Sequence, residues 1–202
     1  MRARPGSIDV SELPTTAFGF RAVTTWGTLG FMLVEATTMA VGVAAYFYLR
    51  RNFQAYPPLG TPNPALLMPT LGLMVLLSSI AIARWTDRAA KRLDAGGVAR
   101  SLLVSVLFGV IILVIRIYEG FGVHTRWDSD AYGSTVWMLL CFHTLLVLID
   151  TIESTVMWRI MKRPDVEDKH FVDASDGAFY WYFAALVWIP LYIVLYLAPR
   201  WV

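Results

Sequence analysis

The stretch Thr25–Leu49, TWGTLGFMLVEATTMAVGVAAYFYL, decides how the rest of the chain is read. A helix needs about 20 mostly apolar residues to cross the hydrocarbon core, and this run exceeds that length with Glu35 as its one charged residue. Lipid offers the backbone no hydrogen-bond partners, so such a run must pair its own amides as a helix. Leu66–Ala83, Leu102–Tyr118, Tyr132–Ile152 and Phe179–Leu197 meet the same test. The expected fold is therefore all-α, a polytopic bundle of five transmembrane helices. Residues 1–24 form an N-terminal tail, and 25–202 the membrane domain.

Composition agrees with a membrane class. Of the 202 residues, 57% are hydrophobic and 16% charged, with a mean hydropathy of +0.56, too apolar for a soluble domain with a polar surface. Aromatic residues make up 14% and include eight Trp, which suits side chains gathered at the two lipid–water boundaries. The net charge of +2 is carried in short clusters between apolar runs, so no nucleic-acid partner is expected, nor a soluble substrate bound directly. Cys141 is the single cysteine, which excludes an internal disulfide and a thiolate-pair metal site. The first 24 residues lack a short apolar core followed by a small-residue cleavage site, so no removable signal peptide is expected.

Between the first two spans, PPLGTPNP (57–64) removes backbone donors and reads as a loop. The next connector, RWTDRAAKRLDAGG (84–97), has charges at helical spacing and should prolong the second helix before stopping at Gly96–Gly97. Basic loops stay on the cytoplasmic side. Arg2, Arg4 and Arg21, then Arg84, Arg88, Lys91, Arg92 and Arg100, then Arg159, Lys162, Arg163 and Lys169 fall on one side. Arg50, Arg51, Arg126 and Arg200 fall on the other. The N-terminus is thus expected in the cytoplasm and the C-terminus outside, as a multi-pass protein of a bacterial inner membrane.

Charged groups within a bilayer need a partner, water or a functional reason. Glu35 lies roughly 15 Å into its helix, where it is either a hydrogen-bonded structural group or a proton- or lipid-linked one. His143 sits in the middle of the fourth span, with Asp150 on nearly the same face. The other histidines, His124 and His170, fall in connectors on opposite sides, so an interhelical hydrogen bond for His143 is weighed against a metal or haem site. Asp150 and Glu153 are expected to reach water. Arg116 and Glu119, three residues apart, read as an ion pair near the outer surface, with Arg116 snorkelling to the boundary. Cys141 should pack as a small buried hydrophobe. Ala36, Ala40 and Ala44 form a small-residue stripe that lets another helix approach closely. Pro190 should kink the last span. Tyr132, Tyr180, Trp181 and Trp188 are expected as boundary anchors or contacts with a large neighbour.

Several of these segments, taken in order, resemble subunit III of the haem-copper oxidases: FMLVEATTMAVGVAAYFYLR (31–50), YEG (118–120), AYGSTVWMLLCFH (131–143) and FYWYFAALVWIPLYIVLYL (179–197). In that family one helix carries an embedded Glu, a helix entry reads YGS followed by FH, and the final helix is an aromatic YWHFVDxVW pattern. Glu35, Tyr132-Gly133-Ser134, Phe142-His143, and Tyr180-Trp181 with Phe183 and Trp188 stand at those positions. The chain departs from the pattern at Leu146, at Tyr182-Phe183-Ala184-Ala185, and at Ser175, where an acidic residue is expected; Asp173 and Asp176 lie close by. The resemblance covers roughly Trp26 onward and matches a five-helix form.

It implies an accessory subunit that packs against oxidase subunit I, binds phospholipid, and supports proton uptake and turnover stability, with Glu35, His143 and Glu119 as candidate proton- or lipid-linked groups. It also implies that haem and copper reside in partner subunits and not in this chain. Three His and one Cys are independently too few for two haems and a copper. An accessory subunit of a nitric oxide reductase looks alike at this divergence. A small proton-linked transporter is the alternative from another class, although no inverted repeat or pair of interrupted helices is evident.

Overall fold

The computed structural model describes residues 16–201, in which five helices are long and apolar enough to cross a membrane. They are α1 (Val23–Asn52), α2 (Leu67–Lys91), α3 (Ala95–Phe121), α4 (Ala131–Ile160) and α5 (Asp168–Tyr192). A wider π-type turn (Ile193–Leu197) and a 3-10 turn (Ala198–Arg200) carry α5 onward. No strand occurs among the described residues. Arg2 and Arg4 of the expected basic tail lie outside the described residues.

At 1.5 Å per residue, helices of 25 to 30 residues reach about 37–45 Å, more than the hydrocarbon thickness, so their ends stand in the headgroup layers. This is why each helix outruns its apolar run. The third span shows it best: α3 begins at Ala95, seven residues before Leu102. Gly96–Gly97, expected to stop the second helix, instead opens the third. Asp94 caps α3 by accepting from the Gly97 amide at 2.8 Å, and a Cβ at residue 97 would lie 2.3 Å from Asp94 Oδ2. The glycine is therefore the cap's requirement, and the turn is made by Arg92–Asp94, with Leu93 in the left-handed region.

α2, α3, α4 and α5 form a four-helix bundle in which each packs on the next and α5 packs back on α2. α1 lies outside it, against α4 and α5. Its inner face is Glu35, Met39, Gly42 and Tyr46, all buried. A Cβ at Gly42 would stand 2.7 Å from Leu139, so this glycine sets how closely α1 meets α4. A Cβ at Gly109 would lie 2.2 Å from Thr151 Oγ1, the matching close approach of α3 to α4.

The two ends of the bundle are tied differently. At the lower end, where α1 starts and the α2–α3 and α4–α5 turns lie, Ala90, Val98, Leu102, Met161 and Phe171 form a small apolar cluster. At the upper end, Arg50 donates to the carbonyls of Ala198 and Trp201, and Arg200 to those of Tyr196 and Pro64. These cations tie the irregular C-terminal turns to the end of α1 and to the loop before α2. Pro190 sits inside α5 and removes a backbone donor three residues before the pattern widens at Ile193.

Candidate functional site

Charged and hydrogen-bonding side chains gather inside the bundle at two depths. The upper group is built by α3, α4 and α5. Arg116 and Glu119, one turn apart on α3, form an ion pair whose side chains are 3% and 0% exposed. The expected surface pair is thus a buried one, and Arg116 does not reach the boundary. Arg116 Cζ lies 3.4 Å above the Trp188 ring, and its Nη2 is 3.1 Å from His143 Nδ1. A guanidinium can only donate, so Nδ1 accepts and the His143 proton is on Nε2, which donates to the Ala184 carbonyl at 2.9 Å. Glu119 takes a second bond, from the Tyr196 hydroxyl. His143 is therefore an interhelical hydrogen-bond group, with both ring nitrogens engaged.

Of the groups in this layer, Tyr196 as the partner of Glu119 was not legible in the sequence. The two are 77 residues apart, and only the fold joins them. Trp188 and Trp181 are also turned inward: Trp188 is fully enclosed beside Arg116 and His143, and Trp181 Nε1 donates to Ser79 at 2.8 Å. Tyr132 packs edge-on against Tyr56 at 5.0 Å and beside Tyr46. All four aromatics expected at a boundary or a neighbour are buried within the chain. The exposed rings that remain include Phe20, Trp26, Tyr48, Tyr118, Trp127 and Trp201, toward the helix ends.

The lower group is carried by α1, α4 and α5. Glu35 is 5% exposed, and the Tyr180 hydroxyl stands 3.0 and 2.9 Å from its two carboxyl oxygens. Below it, Thr25 donates to Asp176 Oδ1 at 2.7 Å, while Oδ2 of the same buried carboxyl has no partner among the described residues. A cavity of about 400 Å³ opens between these helices, walled by Thr24, Thr28 and Phe31 of α1, Glu153 of α4, and Asp173, Asp176, Gly177 and Tyr180 of α5. Among the described residues that line it there is no Lys, Arg or His. Glu153 is exposed, as expected, whereas Asp150 is 3% exposed and its one hydrogen-bond contact, with Ser154, is a marginal 3.5 Å. The two lie on nearly the same face and border one small space beside α5, but Glu153 stands three residues nearer the helix end. On the far side of α5, Ser175 donates to Asp87, which also pairs with Lys91.

Two surface features complete the picture. Ala40 and Ala44 are exposed and Ala36 is partly so, because the close intrachain contact falls on Gly42 instead. Cys141 is exposed, contrary to the expected burial, and lines an almost wholly apolar groove of about 470 Å³ between α3 and α4 with Leu113, Ile117, Trp137 and Leu145. Among the described residues no group of three or more His, Cys, Asp or Glu is placed to hold a metal ion. Outside the spans, Arg126 holds the Asp128 carboxyl below its ordinary value through two hydrogen bonds in the exposed α3–α4 loop.

The family described as cytochrome c oxidase subunit III matches residues 20–200. Cytochrome c oxidase subunit 3 of Synechocystis sp. is 29% identical over 85% of this chain and 74% of its own length. That of Thermostichus vulcanus is 27% identical over 86% of this chain and 87% of its own length. That of Rhipicephalus sanguineus is 30% identical over 84% of this chain and 68% of its own length. With the family match spanning nearly the whole described bundle, the chain belongs to the cytochrome c oxidase subunit III family.

Proposed function

We propose that this chain is the accessory subunit III of a haem-copper terminal oxidase. It packs beside the catalytic subunit I in a bacterial inner membrane, with its N-terminus in the cytoplasm. The observation that carries this reading is the family match along residues 20–200. The polar chemistry of the bundle supports it: the upper layer binds its own groups to one another, with both His143 nitrogens and both Glu119 oxygens engaged. Such a layer holds helices together and has no free ligand to offer a redox metal. Haem and copper accordingly belong to the partner subunits, and this chain takes no electron. Glu119 and His143 act here as structural groups.

Docking uses the exposed face of α1, where Ala40 and Ala44 allow a neighbouring helix to come close. Phospholipid lies in the apolar groove between α3 and α4, whose wall is nearly free of polar surface. The subunit thereby supports proton uptake and stability in turnover by bracing its larger neighbour. Mild-detergent purification of the native complex tests the assignment through its subunit list and metal content. A copper-containing, oxygen-reducing partner is expected; a haem and non-haem-iron partner, or recovery of the chain alone, contradicts it. Ala40→Leu is expected to leave the isolated fold within about 0.5 kcal/mol of its original stability, because the site is exposed. Recovery with the partner should nonetheless fall, and unchanged recovery would remove α1 from the interface.

A further inference from the structure

Glu35 and the cavity below it have different surroundings from the buried polar groups of the upper layer. Arg116, His143 and Glu119 answer one another across α3, α4 and α5, whereas Glu35 has one partner, the Tyr180 hydroxyl, 3.0 and 2.9 Å from its two oxygens. Tyr180 in turn forms the upper wall of the 400 Å³ cavity. From Asp173 to Tyr180 is seven residues of α5, so the cavity runs for roughly 10 Å along the helix. Its walls carry Glu153, exposed at the lower end, then Asp173 and Asp176, with hydroxyls of Thr24 and Thr28 opposite. Asp150 adjoins it through a smaller space shared with Glu153 and Asp173.

We infer that Glu35 is a proton-binding site, filled and emptied from the lower face of the bundle through this cavity, with Tyr180 as the single relay between them. The inference rests on the membrane reading above only in placing the bundle in lipid. A phenol can accept one proton while it donates another. In the discharging step the Glu35 O–H bond breaks and its proton bonds to the Tyr180 oxygen. The phenolic O–H breaks in turn, and that proton passes to a water or carboxylate oxygen in the cavity. The charge leaves Glu35 as carboxylate and the phenol is unchanged in sum. Recharging runs the same bonds in reverse. No oxidant or further reactant is needed.

The groups facing Glu35 set the direction of its coupling. Its hydrogen-bond partner is Tyr180 of α5; Asp176 and Asp173 of α5 and Glu153 of α4 line the cavity beyond it, and Asp150 adjoins. The α5 cations Lys169 and His170 act on Asp173, and among the described residues none lines the cavity itself, so a proton entering any of its carboxyls makes the others easier to ionise. Above Glu35 the path ends. The inner face of α1 continues with Met39 and Gly42, the latter against Leu139, and its next hydrogen-bonding side chain is Tyr46, eleven residues or roughly 16 Å further up. The site stores a proton from one side and does not carry it across.

Infrared difference spectra of the intact complex in H2O and D2O test this, with the Glu35 carboxyl bands identified by their loss in Glu35→Gln. Two variants separate the relay from the fold. Tyr180→Phe keeps the ring that packs near Phe31 and Phe183 and removes only the hydroxyl. Gly177→Leu places a side chain at the cavity wall, where an added Cβ meets nothing within 4 Å. Each is expected to slow deuterium exchange at Glu35 by about tenfold or more, the effect of losing roughly one hydrogen bond's worth of barrier lowering. Exchange at the original rate in Gly177→Leu overturns the route, and in Tyr180→Phe overturns the relay. If Tyr180→Phe does not assemble, Gly177→Leu decides alone. A Glu35 band that never changes protonation between acid and alkaline pH overturns the site itself. Co-purification scored in the same preparations keeps the docking proposal separate, since partner loss with intact Glu35 exchange fails that reading only.

Discussion

The upper polar region of this bundle is enclosed and the lower one opens to its end, and they accommodate charge in opposite ways. In the upper layer a cation, a carboxylate, an imidazole and a phenol from three helices neutralise and hydrogen-bond one another. In the lower region four carboxyls, Asp150, Glu153, Asp173 and Asp176, gather around an open cavity with no cation on its wall. A network whose charges are paired within it resists exchange, even with Arg116 Nε and Trp188 Nε1 left without partners among the described residues; a set of carboxyls with no cation among them depends on what enters from water. The first reads as a fastener, the second as a place where protons come and go.

The largest effect is expected where the fastener loses one side. Glu119→Leu leaves the Arg116 charge buried without its carboxylate, at a cost of roughly 3–5 kcal/mol. Thermal unfolding in detergent, followed by helical circular dichroism, should show this as a large drop in midpoint. The double variant Arg116→Met, Glu119→Leu should recover most of the loss, since it removes both charges. A single variant as stable as the original would mean that water already reaches the pair.

His143→Phe should cost less, about 1–3 kcal/mol, because it strips an acceptor from Arg116 and a donor from the Ala184 carbonyl without stranding a full charge. The same melting experiment reads it. Asp150→Asn sharpens the contrast by its sign: a buried carboxyl with no basic partner should be neutral or up to about 1 kcal/mol stabilising when replaced by an amide. Destabilisation comparable to Glu119→Leu would show that the lower region is a fastener as well.

The smallest effect belongs to Asp128. Its folded value is depressed by Arg126, so the pair's contribution is present above the ordinary aspartate value of about 3.9 and is lost as pH falls through the lower folded one. Because the pair lies at the surface, Asp128→Asn should lower the melting midpoint only slightly from pH 5 upward, and the difference should vanish as pH falls through the folded value. A large shift near neutral pH would count against a surface pair.

The apolar run of each span was enough to identify it as a helix, because lipid leaves the backbone no other way to bond. Which way a given side chain points was much harder to read. Cys141 faces outward and Trp188 inward although both sit in runs that are apolar all round, and such a helix has no polar face to fix its phase. Arg116 and Glu119 illustrate the same limit: an i, i+3 pair near the end of an apolar run has the same spacing whether it is solvated or enclosed. Their depth is decided by His143, Trp188 and Tyr196, distant in sequence. Glu35 was visible as an embedded carboxyl from its position alone. Tyr180 as its partner and the cavity beneath both were not, since they depend on how α1 settles against α4 and α5. Gly96–Gly97 misled for a local reason, because a glycine pair can open a capped helix as readily as it closes one.

The central claim is that this bundle works as a companion and holds no redox centre. It is tested most directly by separating the chain from its native complex and measuring metal content, optical spectrum and oxygen consumption on both fractions. The account predicts a colourless, metal-free chain and an oxygen-reducing remainder that contains haem and copper. Stoichiometric haem, iron or copper retained on the isolated chain, or oxygen reduction by it alone, would contradict the account.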